Sequence, residues 1–327
     1  MLMRAFAFAG LLASPAQADV AEAVRDVILP GYAGFAEATA ALSASAAANC
    51  ADQAALRQGW NAAFDAWLQV GHFRLGPSEI DGRALAIAFW PDPKGLGAKA
   101  QVGLMMAEDP ALRDPAAFAE VSVAARGLFG LERLLYPADA TFEGPGACAL
   151  IQMTAADLAR MAADLQAEWV GGYADHLLMP GQAGNSDFLT QEEARRALLT
   201  ALVTGLEFTA NERLARPLGD FDKPRPERAE ARASGRSQQN VVLSLNAQQR
   251  LSKALVAASP QTDAAFQRAI LQATKLADPM LAGVSDQQKR LKIEIVQQSI
   301  HAIEDAVTVE LVPALGVGLG FNAADGD

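Results

Sequence analysis

Apolar residues recur at intervals of three and four along most of this chain, and almost no segment alternates apolar and polar residues. A clear example begins at Leu56 and continues through Trp60, Phe64 and Trp67. Such spacing places apolar side chains on one face of a helix, whereas a half-buried strand requires alternation. The chain is therefore predicted to be all-α and built from amphipathic helices.

Two irregular polar segments interrupt this helical pattern. The first spans residues 76–95 and the second spans residues 220–239, so each half has long helices with one interruption. The length of the chain also favours more than one domain. We predict two related helical bundles that form an internal pseudo-repeat, at residues 19–184 and 185–327.

The first 18 residues have the composition of a cleavable export signal. Arg4 precedes an apolar stretch at residues 5–13, and an A-x-A cleavage site ends at Ala18. Residues 1–18 are therefore predicted to be a signal peptide, which for a Gram-negative source places the mature protein in the periplasm. Later segments fall short of the ~18 uncharged apolar residues that span a bilayer, so we expect no membrane insertion.

The charge balance disfavours nucleic acid as a partner. The chain has 27 basic and 38 acidic residues, which gives a net charge of −11. Binding to nucleic acid requires clustered Lys and Arg that neutralise phosphates. We therefore expect no nucleic acid partner and no attraction to anionic lipid surfaces.

The chain has two cysteines, Cys50 and Cys148. In an oxidising compartment such a pair is predicted to form one disulfide. A metal site is the alternative, but the sequence near these cysteines offers no histidine or further cysteine to complete a tetrahedral ligand set.

Glu132 is the main candidate for a functional side chain. Helical spacing continues from about Pro115 to Tyr136, and within it Glu132 shares a face with Phe129 and Leu135. A carboxylate directed at the interior must be paired, metal-bound or protonated. A structural ion pair, for instance with Arg83, is the alternative to a functional role.

Two glycines lie within one turn of this predicted helix, Gly127 and Gly130. Glycine in a helix interior costs about 1 kcal/mol relative to alanine. Their presence indicates a close approach that the structure requires near Glu132.

Several short motifs occur in a fixed order along the chain. They are Trp60 and Trp67, Gly76-Pro77, Arg83, Phe89-Trp90-Pro91-Asp92, Gly127 with Glu132, and a Gly-Phe-Asn to Asp-Gly-Asp ending at residues 320–327. Together they resemble the imelysin-like protein family, which was once classed as metallopeptidases. Gly127 and Glu132 match the Gly and Glu of that family's G-x-H-x-x-E motif.

Phe129 departs from this pattern, because it stands where the family has its histidine. Phenylalanine has no lone pair with which to bind a metal ion. Glu132 remains a candidate metal ligand, and His72 is the nearest histidine that could substitute. A structural role is the alternative for His72.

The second irregular segment contains Ser234 and Arg236 within a group of arginines and serines. It resembles the family's second-domain segment that contains R-S-G. If this segment faces Glu132 across the two halves, its Arg and Ser groups could bind an anion or a carboxylate-bearing ligand. A linker without such a role is the alternative.

The resemblance implies two similar four-helix bundle domains with a functional site at their interface, a periplasmic location and a role in iron uptake. The ligand-binding residues that it suggests are Glu132, Arg83, Asp92, Trp90, Phe129, Gly127, Ser234 and Arg236. Iron or another divalent metal is the candidate cofactor, and iron-uptake components of the cell envelope are the candidate partners.

Three functions follow from these observations. The first is a periplasmic binding or accessory protein of iron metabolism. The second is a metallopeptidase, which Phe129 disfavours, and the third is a non-catalytic interaction module in which Glu132 is only structural. The sequence lacks H-E-x-x-H, the pattern that many zinc peptidases carry.

Overall fold

The structure is a computed structural model that describes residues 19–137 and 145–318. Within these ranges the secondary structure is helical, and the bridge between Asp220 and Lys223 is isolated, outside any strand. The all-α prediction is therefore confirmed. The predicted signal peptide and the motif at residues 320–327 lie outside the described residues.

The α-helices occur in the following order along the described residues. The first half contains α1 (Val20–Glu22), α2 (Leu29–Ala48), α3 (Gln53–Val70), α4 (Arg83–Ile87), α5 (Leu96–Met106), α6 (Pro115–Ala119), α7 (Gly127–Leu135), α8 (Pro145–Glu168) and α9 (Ala174–Leu178). The second half contains α10 (Gln191–Glu207), α11 (Ala215–Leu218), α12 (Ser237–Leu255), α13 (Pro260–Thr274) and α14 (Gln287–Leu315). Stretches of π-helix at Ala23–Ile28, Trp169–Tyr173 and Phe208–Leu214 continue the helices on either side.

Capping side chains begin several of these helices. The Asp52 carboxylate accepts a hydrogen bond from the Ala55 N–H, and Thr190 accepts one from the Glu193 N–H. These contacts satisfy N–H groups that have no partner within the first turn. The caps start α3 and α10 at defined residues.

Each half contains a group of packed helices. In the first half α2 packs against α3 and α8, and α7 lies against both α3 and α8. In the second half α14 packs against α10 and α13, and α12 contacts the same two helices. The equivalence of the two groups and the boundary after residue 184 stay predictions from the sequence.

The two halves share one core. Helix α12 of the second half packs directly on α3 of the first. The buried apolar side chains form a continuous cluster that runs from Val20 to Val317. Burial of this apolar surface is the main favourable contribution to folding. No helix within the described ranges is long and apolar enough to cross a membrane.

The prediction of one continuous helix from Pro115 to Tyr136 is wrong. Helix α6 ends at Ala119, a short 3-10 turn follows at Val123–Ala125, and α7 begins at Gly127. Gly127 has a φ of +68°, which a residue within an α-helix does not adopt. Gly127 therefore begins a separate helix. The apolar spacing alone does not reveal that this helix is short.

The predicted disulfide is present between Cys50 and Cys148, whose Cα atoms lie 5.5 Å apart. It links the connection between α2 and α3 to helix α8. The cysteines are 98 residues apart. The disulfide therefore closes a long loop and restricts the unfolded chain.

Removal of this disulfide should destabilise the protein. In the chain-entropy model, opening a loop of this length lowers the free energy of unfolding by about 5 kcal/mol. Urea unfolding of a Cys50→Ser/Cys148→Ser variant measures the loss. Dithiothreitol should shift the wild-type transition and leave that of the variant unchanged; equal midpoints for both proteins would contradict the expectation.

Candidate functional site

Glu132 lies on α7 at the contact between the two halves of the chain and is 7% exposed. One carboxylate oxygen, Oε1, accepts hydrogen bonds from the Ser234 N–H at 3.0 Å and from the Ser234 hydroxyl at 2.8 Å. Ser234 belongs to the second irregular segment. The structure thus brings together two site residues that are 102 positions apart.

The backbone conformation of the segment explains how it presents Ser234. The Ala231 carbonyl accepts hydrogen bonds from the Arg236 N–H at 3.2 Å and from the Ser234 hydroxyl at 3.0 Å. Ala231 and Gly235 both have positive φ, +46° and +72°. This closed turn directs the Ser234 N–H and hydroxyl toward Glu132.

Burial raises the pKa of Glu132. The two hydrogen bonds from Ser234 and the charge of Arg133 act in the opposite direction, while the charge of Glu230 adds to the increase. The Ser234 hydroxyl has one proton but lies near two acceptors, Glu132 and the Ala231 carbonyl. Because this one proton serves two acceptors, the Ser234 N–H is the donor that Glu132 does not share.

The glycines of α7 allow the backbone of neighbouring elements to approach. A Cβ atom at Gly127 would lie 2.2 Å from the Ala86 carbonyl oxygen and 2.3 Å from that of Ile87. A Cβ atom at Gly130 would lie 2.6 Å from the Ala125 carbonyl oxygen. The close approach inferred from the sequence is therefore made by the protein's own backbone, which fixes the position of α7.

Arg236 connects the second half of the chain to α3. It is 1% exposed, and its guanidinium donates hydrogen bonds to Asn61 and to the Asp65 carboxylate. It also lies over the Phe64 ring at 4.6 Å from the ring centre. These contacts satisfy the charge of Arg236 and place it within the contact between the halves.

A second buried ion pair lies beside this contact. Glu230 accepts hydrogen bonds from Arg213 Nε at 2.7 Å and from Asn240 Nδ2 at 2.8 Å. Asn240 in turn accepts one from Arg236 Nε at 2.9 Å. The network is continuous from Arg213 to Arg236 and explains why these charges can be buried.

Two cavities adjoin this cluster. The first, here called the inner cavity, has a volume of about 170 Å³ and is lined by residues of both halves, including His72, Phe208 and Gln248. The second, the outer cavity, has a volume of about 590 Å³ and is lined by Glu132, Arg133, Asp92 and residues 227–229 and 231–233. Trp90 and Phe129 line both cavities, and their rings are nearly parallel with centroids 6.4 Å apart.

The ion pair between Arg83 and Glu132, which was the alternative to a functional role for Glu132, does not form. Arg83 instead binds Glu168 through two hydrogen bonds of 2.8 and 2.9 Å, and it lines neither cavity. Asp92 does line the outer cavity, where its carboxylate accepts hydrogen bonds from the N–H groups of Leu96 and Gly97 at the start of α5. Arg83 thus stabilises the first half at a distance from the site.

Sequence reasoning did not identify Phe208, Glu230 and Gln248 as site residues. Phe208 begins a π-helical stretch and makes an edge contact with Trp90, at 6.1 Å between centroids. A π-helix within a helix is often found at functional sites, but apolar spacing does not predict it. Only the packing of α12 against α3, and of α10 against α12, brings these residues to the cavities.

The residues present do not fit a metal site formed by three or more protein ligands. Within the described residues, no group of three or more His, Cys, Asp and Glu side chains is placed to hold a metal ion. Glu132 is bound by Ser234, and His72 lines the inner cavity whereas Glu132 lines the outer one. We derive no hydrolytic step through a metal from this arrangement.

The fold and the site together give the class of this protein. It is an all-α protein that has a buried carboxylate and two cavities at the contact between its halves. The Imelysin family model matches residues 28–307, so the chain belongs to the imelysin family. The chain is also similar to iron-regulated protein A of Synechococcus elongatus, with 23% identity over 89% of this chain and 84% of that protein.

Two solved structures share the fold. An imelysin-like protein from Psychrobacter arcticum has a TM-score of 0.75 and 19% identity, over 92% of this chain and 96% of the other. A protein described as an iron-regulated protein A precursor, from Parabacteroides distasonis, has a TM-score of 0.69 and 15% identity, over 88% and 92% of the two chains. These similarities support the fold across nearly the whole described region.

The Gly127→Ala substitution should destabilise the protein. The added Cβ atom meets two carbonyl oxygens, and the positive φ is unfavourable for alanine, so we expect a loss of at least about 2 kcal/mol in the free energy of unfolding. Gly103→Ala is the matched control, since a Cβ atom there has open space within α5 and should stabilise by up to about 1 kcal/mol. Urea unfolding compares them; equal midpoints for the two variants would contradict the expectation.

Glu132→Gln should change how stability depends on pH. A raised pKa means that the folded state holds the Glu132 proton more tightly than the unfolded chain, so this stabilisation is lost as pH rises above the unfolded pKa of about 4.3. Glutamine keeps an acceptor oxygen but cannot ionise. The free energy of unfolding of the variant, minus that of the wild type, should therefore increase with rising pH.

Urea unfolding at about pH 4 and about pH 8 measures this difference on either side of the ordinary glutamate range. The same substitution at exposed Glu37 on α2 is the matched control. If the free energy of unfolding of the variant, minus that of the wild type, stays constant or decreases with pH, burial does not raise the pKa of Glu132.

Proposed function

We propose that this imelysin-family member is a periplasmic protein of iron handling that binds an iron-containing anion in the outer cavity. The observation that carries this proposal is the presence of Arg228 and Arg232 beside Glu132. Both arginines are exposed and line the outer cavity. Among the described residues, neither forms an ion pair.

The charges around the outer cavity support an anionic ligand. Arg133 donates hydrogen bonds to uncharged groups, the Gln101 side chain and the Ala124 carbonyl. The Asp92 carboxylate already accepts two backbone hydrogen bonds, and Glu227 lies 4.0 Å from Arg225. The arginines thus form a positive group in a chain with a net charge of −11.

Arginine is suited to the proposed ligand. Its planar guanidinium can bind a carboxylate through two parallel hydrogen bonds. A ferric complex of a small polycarboxylate combines such groups with iron, and the names of the iron-regulated relatives support iron as the cargo. The apolar wall formed by Trp90 and Phe129 would contact the organic part of such a complex.

Glu132 acts in this proposal as a positioning residue. Its hydrogen bonds to Ser234 hold the closed turn between Ala231 and Arg236, which contains Arg232. Loss of these bonds would release the turn and with it Arg232. The proposed periplasmic location and association with iron-uptake components of the cell envelope are consistent with capture of such a complex outside the cytoplasm.

Binding of ferric citrate tests the proposal directly. Isothermal titration calorimetry on the purified chain should give a measurable Kd for ferric citrate, and the Arg228→Gln/Arg232→Gln double variant should raise it by roughly tenfold or more. Arg268→Gln, which changes an exposed arginine on α13 away from the cavities, is the matched control. No binding, or equal affinity for citrate without iron, would overturn the proposal.

The same titration distinguishes a positioning role for Glu132 from metal coordination. Glutamine preserves an acceptor for Ser234, so Glu132→Gln should retain binding, whereas Glu132→Ala should weaken it. If Glu132 coordinates iron, the Gln variant should lose binding as fully as the Ala variant. Iron content measured by elemental analysis of both proteins after dialysis gives an independent check.

A further inference from the structure

We propose that the inner cavity is a second binding site, for a neutral planar compound of one ring that carries hydrogen-bond donors, such as a simple phenol. This site is distinct in size and chemistry from the outer cavity. The two cavities share the wall formed by Trp90 and Phe129. The inference does not depend on an anion or on iron binding in the outer cavity.

The size of the inner cavity limits its occupant to one ring. Its volume is about 170 Å³. An apolar cavity of about 150 Å³ in another protein binds benzene, which has one six-membered ring. A bulky iron chelate with several rings exceeds this volume.

The walls of the cavity favour a flat, largely apolar molecule. Aromatic side chains from both halves line it, namely Phe64, Trp67, Trp90, Phe129 and Phe208. Aromatic rings interact favourably through edge and offset-stacked contacts. Phe129 contributes to this wall a hydrophobic ring that makes an edge contact with Phe64 at 5.5 Å between centroids.

The charges at the inner cavity are paired, which favours a neutral ligand. Arg213 binds Glu230 at 2.7 Å, and Arg74 binds Glu79 at 2.6 Å. Burial, with smaller effects from Arg250 and Arg213, lowers the pKa of His72 to about 3. His72 is therefore uncharged near neutral pH, and a charged ligand would find no free opposite charge among the described groups that line the cavity.

Two buried polar atoms at the cavity have no hydrogen-bond partner among the described residues. They are Oε1 of Gln248, a residue that is 1% exposed, and Nε2 of His72. Both side chains lie against Gly205: a Cβ atom there would be 2.7 Å from Gln248 Nε2 and 2.9 Å from His72 Cβ. A buried polar atom without a partner is costly, so these two atoms favour a ligand that bonds to them.

The chemistry of these two atoms defines the donors of the ligand. A glutamine oxygen only accepts hydrogen bonds, and a neutral histidine has one ring nitrogen that accepts. A hydroxyl group on an aromatic ring can donate to such acceptors while the ring contacts the aromatic walls. Ordered water could also satisfy both atoms, and this alternative is decided by experiment.

Titration with ring compounds of matched shape tests the proposal. Phenol, catechol and resorcinol should bind the full-length mature chain, as measured by calorimetry and ligand-observed NMR in buffer with a metal chelator. The ring compound o-xylene, which has the shape of catechol but no donor, should bind at least tenfold more weakly. If no hydroxybenzene binds, or if o-xylene binds equally well, the cavity holds only water or a ligand of another class and the proposal is wrong.

Substitutions of His72 and Gln248 test whether the ring compounds bind in the inner cavity. His72→Phe and Gln248→Leu each remove one unpartnered polar atom while preserving bulk, so each should weaken hydroxybenzene binding by roughly tenfold. His301→Phe, on α14 and outside both cavities, is the matched control. Unchanged affinity in both cavity variants would overturn the assignment. Ferric citrate binding should be the same in all three variants, which separates this test from that of the outer cavity.

Discussion

The hydrogen bonds between Glu132 and Ser234 are the interaction on which the central site depends. A carboxylate buried between helices is unfavourable unless donors satisfy it or a proton neutralises it. Ser234 supplies its N–H and a hydroxyl proton that also lies near the Ala231 carbonyl, but only while the turn from Ala231 to Gly235 keeps its closed conformation. The same turn adjoins Arg236, whose buried guanidinium binds α3. The packing of the two halves and the geometry of the site therefore depend on the same turn.

Trp90 and Phe129 divide the space at this contact into two chemically different cavities. On one side, arginines and the Glu132 carboxylate surround an open volume of about 590 Å³. On the other side, the volume is about 170 Å³ and is surrounded by aromatic rings, paired charges and two polar atoms that have no hydrogen-bond partner within the described part of the chain. Phe129 lies at the position where the family resemblance expects a histidine. Its ring forms a wall there and cannot serve as a metal ligand.

Much of the site follows from the sequence, but not its pairings. An apolar face identified Glu132 as an interior carboxylate, and the second irregular segment identified Ser234 and Arg236. The structure places Glu132 and Ser234 in contact and Arg236 within the contact between the halves. Arg83 was assigned to the same site but binds Glu168, because α4 directs it toward the end of α8. Sequence spacing gives the face of a helix, and it does not give the residue that this face will meet.

The sequence by itself determined the helical class, the disulfide, the irregular segments and the burial of Glu132, since each depends on local periodicity or on residue type. Tertiary structure alone decided the break before α7, the partner of Glu132 and the residues that line the two cavities. Gly127 is needed because the Ala86 and Ile87 carbonyls approach it, and Gln248 lines a cavity because α12 packs near His72. Such contacts join residues far apart in the chain. They depend on how whole helices pack, which apolar spacing does not specify.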